Sequence, residues 1–186
     1  MKRNFDLIIS LLLLIILFLP LLAIAFYIKT NSRGPILYWS DRIGINNTIF
    51  KMPKFRTMQV NTPAVATHLL SNPEKYVTPA GRWLRKTSLD ELPQIFSVIK
   101  GDMSFVGPRP ALFNQDDLVA LRTSKGIHTL IPGITGWAQI NGRDDLPIPV
   151  KVDHDYYYLQ NRSFLFDLKI LAKTVINVIF GKGIQH

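Results

Sequence analysis

Two adjacent carboxylates, Asp90 and Glu91, open an apolar-periodic segment, with Arg82, Arg85 and Lys86 just ahead of them and Arg109 soon after. Arg109 stands between Pro108 and Pro110, whose rings restrict the backbone of the turn that carries it. Acids in the first turn of a helix have a plain use, because they stabilise the positive end of its dipole. Flanking cations give them a second use. Arginines and a helix terminus hold phosphate, and the same positive field keeps Asp90 ionised and able to act as a nucleophile. A magnesium ion would offset the repulsion between carboxylate and pyrophosphate, bound through one or two carboxylates and phosphate oxygens. The stretch Ser88–Pro110 therefore points to metal-assisted phosphate chemistry, with simple helix capping as the bland alternative.

Two further segments carry residues of the binding type. Phe50–Arg56 contains Lys51, Lys54 and Arg56, which face an anionic ligand or, as the default for any one of them, solvent. Ile131–Gln139 is glycine-rich, so backbone there can approach a ligand closely. Trp137 could stack on such a ligand, and Gln139 and Arg143 could bond to its polar edges. Hairpin turns use the same residues, so the pattern alone is weak. The glycine spacing matches neither a dinucleotide-binding fingerprint nor a P-loop. The chain has no cysteine, which excludes disulfides, thiolate zinc sites, iron–sulfur ligation and cysteine nucleophiles. His68, His128, His154 and His186 show no metal-ligand spacing.

These residues need elements to position them. Ser88-Leu89-Asp90-Glu91 matches a capping box with Ser88 as N-cap, although Pro93 is comfortable only in a first turn and allows a start at Leu89 or Asp90. Leu89, Leu92, Ile95, Phe96 and Ile99 form one apolar helical stripe, and Gly101 is a natural stop. Upstream, Ile36–Trp39 and Thr48–Phe55 read as strands joined by a turn around Gly44–Asn47. Asn61–Pro79 reads as a loop with one short helix near Ala66–Leu70, and helix signals resume at Gly81. Asp155-Tyr156-Tyr157-Tyr158 suits core and interface packing. Phe164–Phe180 reads as an apolar-rich helix with Lys169 and Lys173 one turn apart. That pattern fits the membrane interface, with lysines toward head groups, or an ordinary core-packed helix.

The 186 residues suffice for one compact domain. With 47% hydrophobic and 19% charged residues the chain is neither disordered nor polytopic, and its net charge of +9 favours anionic partners: phospholipid head groups, nucleotides or nucleic acid. Leu7–Ile28 carries no charge, is interrupted only by Ser10 and Pro20, and is long enough to span a bilayer. Three readings fit it. One is a signal peptide, with Lys2-Arg3 as its basic start and Ala23-Ile24-Ala25 as a mimic of a cleavage site. Another is a spanning anchor. The third is a helix that breaks at Pro20 and leaves by the face it entered. Lys2 and Arg3 at one end and Lys29 and Arg33 at the other favour re-entry, since both ends would then lie in the cytoplasm.

With these residues set out, the chain resembles the bacterial sugar transferase family, the monotopic phosphoglycosyl transferases that load polyprenyl phosphate. The likeness starts at Lys2-Arg3 with Phe5-Asp6 and continues through Arg42-Ile43-Gly44, Lys54-Phe55-Arg56-Thr57-Met58 and Thr87–Gln94. Lys100–Ser104, Val106–Pro110, Pro132–Gln139, Asn141-Gly142-Arg143 and Ser163–Lys169 complete it. Several long motifs in one order make it specific. The chain departs from the pattern at Leu19-Pro20, where Ser-Pro is common, and at Asp144-Asp145, where an asparagine often follows Asn-Gly-Arg.

The resemblance implies a reaction: a UDP-sugar, with an N-acetylated hexosamine favoured, gives its phosphosugar to undecaprenyl phosphate, and UMP leaves. It implies Asp90 as the nucleophile that forms a covalent phosphosugar intermediate, and Glu91 as a catalytic residue and magnesium ligand. Arg85 and Arg109 would hold phosphate, with Lys54 and Arg56 nearby on the substrate side. Thr135, Gly136, Gln139 and Arg143 would serve the nucleotide-sugar. The expected fold is α+β and helix-rich: a re-entrant membrane helix over residues 1–30, broken at Pro20, on a cytoplasmic catalytic domain over residues 31–186 with a small hairpin and interfacial amphipathic helices. The length suggests a small single-domain form. The expected setting is the cytoplasmic face of a bacterial inner membrane. The partners there are membrane lipids and downstream glycosyltransferases, with no nucleic acid, and the product starts a surface glycan such as O-antigen, capsule or a glycoprotein glycan. The competing reading from another class is a basic, non-catalytic membrane-surface adaptor that binds anionic lipid or nucleic acid.

Overall fold

A computed structural model describes residues 1–62, 73–142 and 146–180. The expected short helix near Ala66–Leu70, the Asp144-Asp145 pair and the candidate Arg143 lie outside the described residues. The first element is α1, Lys2–Asn31. It runs as one continuous helix through Pro20, where the sequence predicts a break. Among the described residues it is the one helix long and apolar enough to cross a membrane. Most of its large side chains are open to solvent, including Ile15, Ile16, Leu19 and Phe26.

Both ends of α1 are fastened to the rest of the protein. Near its start, Lys2 Nζ donates to Asp167 Oδ2 at 2.6 Å, to the Val106 carbonyl at 2.8 Å and to Tyr158 Oη at 3.0 Å. Tyr158 donates in turn to Asp167 Oδ1 at 2.7 Å. Arg3 donates to the carbonyls of Val98 and Ile99, two of the acceptors that a helix end leaves over. Lys2 and Arg3 thus also act as internal clamps. Near the other end, Ile24 and Ile28 are buried with Phe55 and Leu84, and Tyr27 meets Trp83 edge to face with centroids 6.3 Å apart.

The hairpin is as expected, with a first strand that runs further, to Ile43, and a second that starts one residue later, at Ile49. β1, Leu37–Ile43, pairs antiparallel with β2, Ile49–Phe55, so that Tyr38 lies opposite Lys54 and Arg42 opposite Phe50. Then come α2, Pro79–Thr87, a 3-10 helix over Leu89–Gln94, and α3, Ile95–Lys100. Thr78 caps α2, its hydroxyl accepting from Gly81 N at 2.9 Å, so this helix starts two residues before Gly81. Gly101 ends α3 with φ 101°, a conformation that favours glycine.

β3, Ser104–Val106, pairs in parallel with β4, Gly133–Thr135, across an excursion through α4, Asp116–Ser124. The chain ends in α5, Trp137–Ile140, α6, Ile148–Asn161, and α7, Phe164–Ile179. The main core gathers Phe50 and Met52 of β2, Val98, Phe105, Val106, Leu118, Val152 and Ile170. The architecture is α+β and helix-rich, as the sequence predicts. On α7, Ile170 is fully buried while Leu165, Leu168, Val175 and Ile176 are exposed. Lys173 Nζ lies 5.4 Å from the centre of the Trp137 ring, a cation–π contact rather than an outward reach.

The Lys2–Tyr158–Asp167 network predicts a stability contrast. Asp167→Asn takes the counter-ion from the half-buried Lys2 ammonium and weakens the acceptor of the buried Tyr158 hydroxyl, and should lower the unfolding free energy by about 2 kcal/mol. Lys51→Ala breaks only the exposed Lys51–Asp41 pair and should change it by less than about 0.5 kcal/mol. Thermal unfolding of the two variants beside the parent checks the difference.

Candidate active site

The two carboxylates sit just beyond a corner. Ser88 has φ 56° and ψ 16°, a left-handed conformation, and its side chain caps nothing. The capping box expected from Ser88 and Glu91 therefore does not form, because an N-cap needs an extended backbone that this corner does not have. Ser88 ends α2 and turns the chain into the 3-10 helix, whose first turn holds Asp90 and Glu91. Arg85, one turn before the corner, donates through Nε to Thr57 Oγ1 at 3.0 Å, and its charge acts on Asp90.

Glu91 is the meeting point of the cations. Its Oε1 accepts from Lys54 Nζ at 2.7 Å and from Arg109 Nη2 at 3.1 Å. Burial opposes ionisation of Glu91, yet Arg109 and Lys54 together outweigh it and hold the carboxyl well below the usual range. Asp90 moves the other way. Burial raises it, the Glu91 charge adds to the rise, and Lys54 and Arg85 offset only part. The sequence predicts that cations keep Asp90 ionised. Here desolvation outweighs them, so the neighbours titrate in opposite directions from their ordinary values.

Arg109 is carried by a turn in which every carbonyl is taken. The Pro108 carbonyl accepts from Gly133 N at 2.9 Å. The Arg109 carbonyl accepts from Arg122 Nη1 at 2.8 Å, and that of Pro110 from Arg42 Nη1 at 3.1 Å. Arg122 is itself held by Asp155, whose Oδ2 accepts from Nε at 3.0 Å and Nη2 at 2.6 Å. The glycine-rich segment packs behind this turn. A Cβ on Gly136 would lie 2.1 Å from the Gly107 carbonyl oxygen, and one on Gly133 would lie 2.1 Å from Gly107 N. These glycines are needed for contact of backbone with backbone.

The structure thus brings together Asp90, Glu91, Lys54, Arg85 and Arg109. Arg56 is committed elsewhere. Its buried guanidinium donates to the carbonyls of Ser32, Arg33 and Pro35 and to Ser32 Oγ, tying β2 to the end of α1. Thr135 shares a hydroxyl contact of 2.7 Å with Thr174. The Gln139 amide is buried with neither atom hydrogen-bonded. Trp137 stacks on Tyr157 at 5.5 Å and packs against Phe166, so its ring serves the core.

Sequence reasoning did not single out Arg122 or Tyr38, named Arg42 only within a motif and gave it no role, and left Asp155 in an aromatic cluster. A periodicity signal existed for two of them. Arg122 falls one turn after the buried Leu118, and Asp155 lies midway between the buried Val152 and Tyr158. A charge on an apolar stripe asks for a buried partner. Among the described residues no three acidic or histidine side chains cluster to form an all-protein metal cage. The donor set at hand is Asp90 and Glu91, the sparse carboxylate set magnesium uses when substrate phosphates supply other ligands.

The family described as bacterial sugar transferase matches residues 1–181. An undecaprenyl-phosphate glucose phosphotransferase of Komagataeibacter xylinus is 40% identical over 98% of this chain and 36% of its own length. An uncharacterized sugar transferase of Bacillus subtilis is 40% identical over the whole of this chain and 91% of its own length. A UDP-N-acetylgalactosamine-undecaprenyl-phosphate N-acetylgalactosaminephosphotransferase of Aeromonas hydrophila is 38% identical over 98% of this chain and 44% of its own length. The chain therefore spans less than half of two of these relatives and nearly all of the third.

Two stability measurements check the site's electrostatics. Asp155→Asn leaves the Arg122 guanidinium buried without its counter-ion and should lower the unfolding free energy by about 3 kcal/mol. Asp90 has a folded-state value raised above its ordinary 3.8. Whatever stability it lends is present below that ordinary value and lost as pH rises through the folded value. At pH 7.5 its charge is a burden, so Asp90→Asn should melt above the parent, with the difference shrinking in acid.

Proposed function

Because the chain belongs to the bacterial sugar transferase family, we propose that it moves a sugar phosphate from a UDP-sugar to undecaprenyl phosphate and releases UMP. The observation that carries this reading is the convergence of Lys54 and Arg109 on Glu91 beside the half-buried Asp90. A non-catalytic adaptor has no use for two cations gathered around a partly buried acid pair. In the reaction, an Asp90 carboxylate oxygen attacks the phosphorus attached to the sugar. The bond from that phosphorus to the bridging oxygen breaks, and UMP departs with the bridging oxygen. An oxygen of undecaprenyl phosphate then attacks the same phosphorus and frees Asp90, leaving a polyprenyl diphosphosugar.

Each group at the site has a part in this scheme. Arg109, Lys54 and Arg85 orient the diphosphate and offset its charge, which leaves the nucleophile a short, aligned approach. The raised value of Asp90 makes it a better nucleophile once ionised, while the depressed value of Glu91 keeps it anionic. Magnesium, held by Glu91 together with phosphate oxygens, would supply further charge neutralisation. The unpartnered Gln139 amide near the Gly107 turn, with Thr135 and Gly136 behind it, serves the nucleotide-sugar, and so does Arg143.

The sugar we favour is an N-acetylated hexosamine, and the product starts a surface glycan that downstream glycosyltransferases extend. The membrane reading is a re-entrant α1 on the cytoplasmic face of the inner membrane. Its support is that the same folded body grips Lys2 and Arg3 at one end and Ile28 at the other, while the middle exposes its apolar side chains.

Three measurements test the proposal. Asp90→Asn in native membranes should release no UMP from any UDP-sugar in a panel supplied with magnesium and undecaprenyl phosphate. Normal turnover would remove Asp90 as the nucleophile. The rate of the first step should fall as pH drops, along a limb shifted upward from the ordinary aspartate value, because protonated Asp90 cannot attack. Single cysteines placed at Asn4 and Ser32 of this cysteine-free chain should both resist an impermeant thiol reagent in intact spheroplasts. Labelling of one alone would establish a crossing helix.

A further inference from the structure

Lys54 reaches Glu91 from β2, and the residue directly opposite it on β1 is Tyr38. Opposite residues of an antiparallel pair project from the same face, with Cβ atoms about 5 Å apart. The alternation puts Tyr38, Ser40 and Arg42 on one face with Lys54, Met52 and Phe50. That face looks inward. Ser40, Met52 and Phe50 are buried, and Arg42 reaches the Pro110 carbonyl. Tyr38 is the exception, with 52% of its surface exposed. An aromatic ring that stands on the inward face, beside the site's lysine, yet open to solvent, borders an opening.

The chemistry of that opening follows from what surrounds it. The cations at Glu91 account for a diphosphate, and a nucleotide-sugar also brings one flat heteroaromatic ring a few bonds away. Such a base gains most from a rigid aromatic face. The other candidate occupant, a polyprenyl chain, belongs with α1. Leu37 and Phe55, which pack with Ile24 and Ile28 of α1, lie on the opposite face of the hairpin. We infer that Tyr38 is the wall of the nucleotide-base subsite, its ring stacking on the uracil while Lys54 and Arg109 hold the phosphates. This rests on the preceding reading of the reaction, and it adds a binding residue that makes no contact with the transferred sugar.

The test uses the full chain in lipid nanodiscs, with Tyr38→Ala, Tyr38→Phe and the parent compared. Binding of UMP itself is measured by calorimetry, and turnover by UMP release. Tyr38→Ala should weaken UMP binding and raise KM for the UDP-sugar by the same factor, about tenfold for one lost stack. Its kcat and its KM for undecaprenyl phosphate should stay within twofold of the parent. Tyr38→Phe should match the parent, because stacking needs the ring and not the hydroxyl. Unchanged UMP binding in Tyr38→Ala, or a rise confined to the KM for undecaprenyl phosphate, would overturn the assignment. UMP binding without turnover on any UDP-sugar would instead sink the proposed reaction while leaving the base subsite standing, and a parent that binds no UMP would end both.

Discussion

Oε1 of Glu91 accepts from Lys54 and from Arg109 at once, and the geometry of the site depends on that shared atom. Two cations held within about 3 Å of one oxygen repel each other, and in a half-buried setting the repulsion is not screened away by water. Only the anion between them makes the arrangement favourable. Through it, β2 and the Pro108–Pro110 turn are drawn onto the 3-10 helix that also carries Asp90. The contact therefore sets where the positive charges stand before any substrate arrives, a preorganisation that need not be assembled during reaction.

The depressed Glu91 and the raised Asp90 are two outcomes of one field. Neighbours in sequence, both are desolvated by burial, and they differ in how the cations reach them: Glu91 has direct bonds to Lys54 and Arg109 that outweigh burial, while at Asp90 Lys54 and Arg85 offset only part of it. Pushing adjacent carboxyls apart in this way separates a permanent anion from one whose reactivity is higher. The turn that holds Arg109 shows the same economy of motion. Its three carbonyls are fixed by Gly133, Arg122 and Arg42, and Asp155 fixes Arg122 from behind. The guanidinium has little backbone freedom left to lose when it meets a phosphate.

Much of this was legible in the chain. The hairpin, the α7 helix, the Gly101 stop and the acid pair beside arginine all follow from local pattern, because each depends on residues close in sequence. What escaped depends on distant residues. The left-handed Ser88 is compatible with a capping box by residue type, and only the packing of α2 against α1 and β2 decides that the chain turns there. Arg56 has the look of a ligand-binding cation, yet its partners are carbonyls of residues 32, 33 and 35, more than twenty positions away. The same holds for Arg122 and Asp155, thirty-three positions apart. Glycines 133 and 136 were read as room for a ligand, while their lack of a side chain serves the close approach to Gly107. A glycine's freedom is visible in sequence, but what occupies the space is not.

The two fastenings of α1 have a consequence for how the protein sits against lipid. A helix tied at one end can tilt and bob, so the distance from the bilayer surface to the rest of the protein fluctuates. A helix tied at both ends cannot change depth without carrying the whole body along. If the exposed middle of α1 lies in hydrocarbon, Asp90 is held at a set height, as a reading head is held above a disc. Such a site would register the head group and the first bonds of a lipid that reaches it. The remainder of the tail would stay in the bilayer, and lipids of different chain length would look alike.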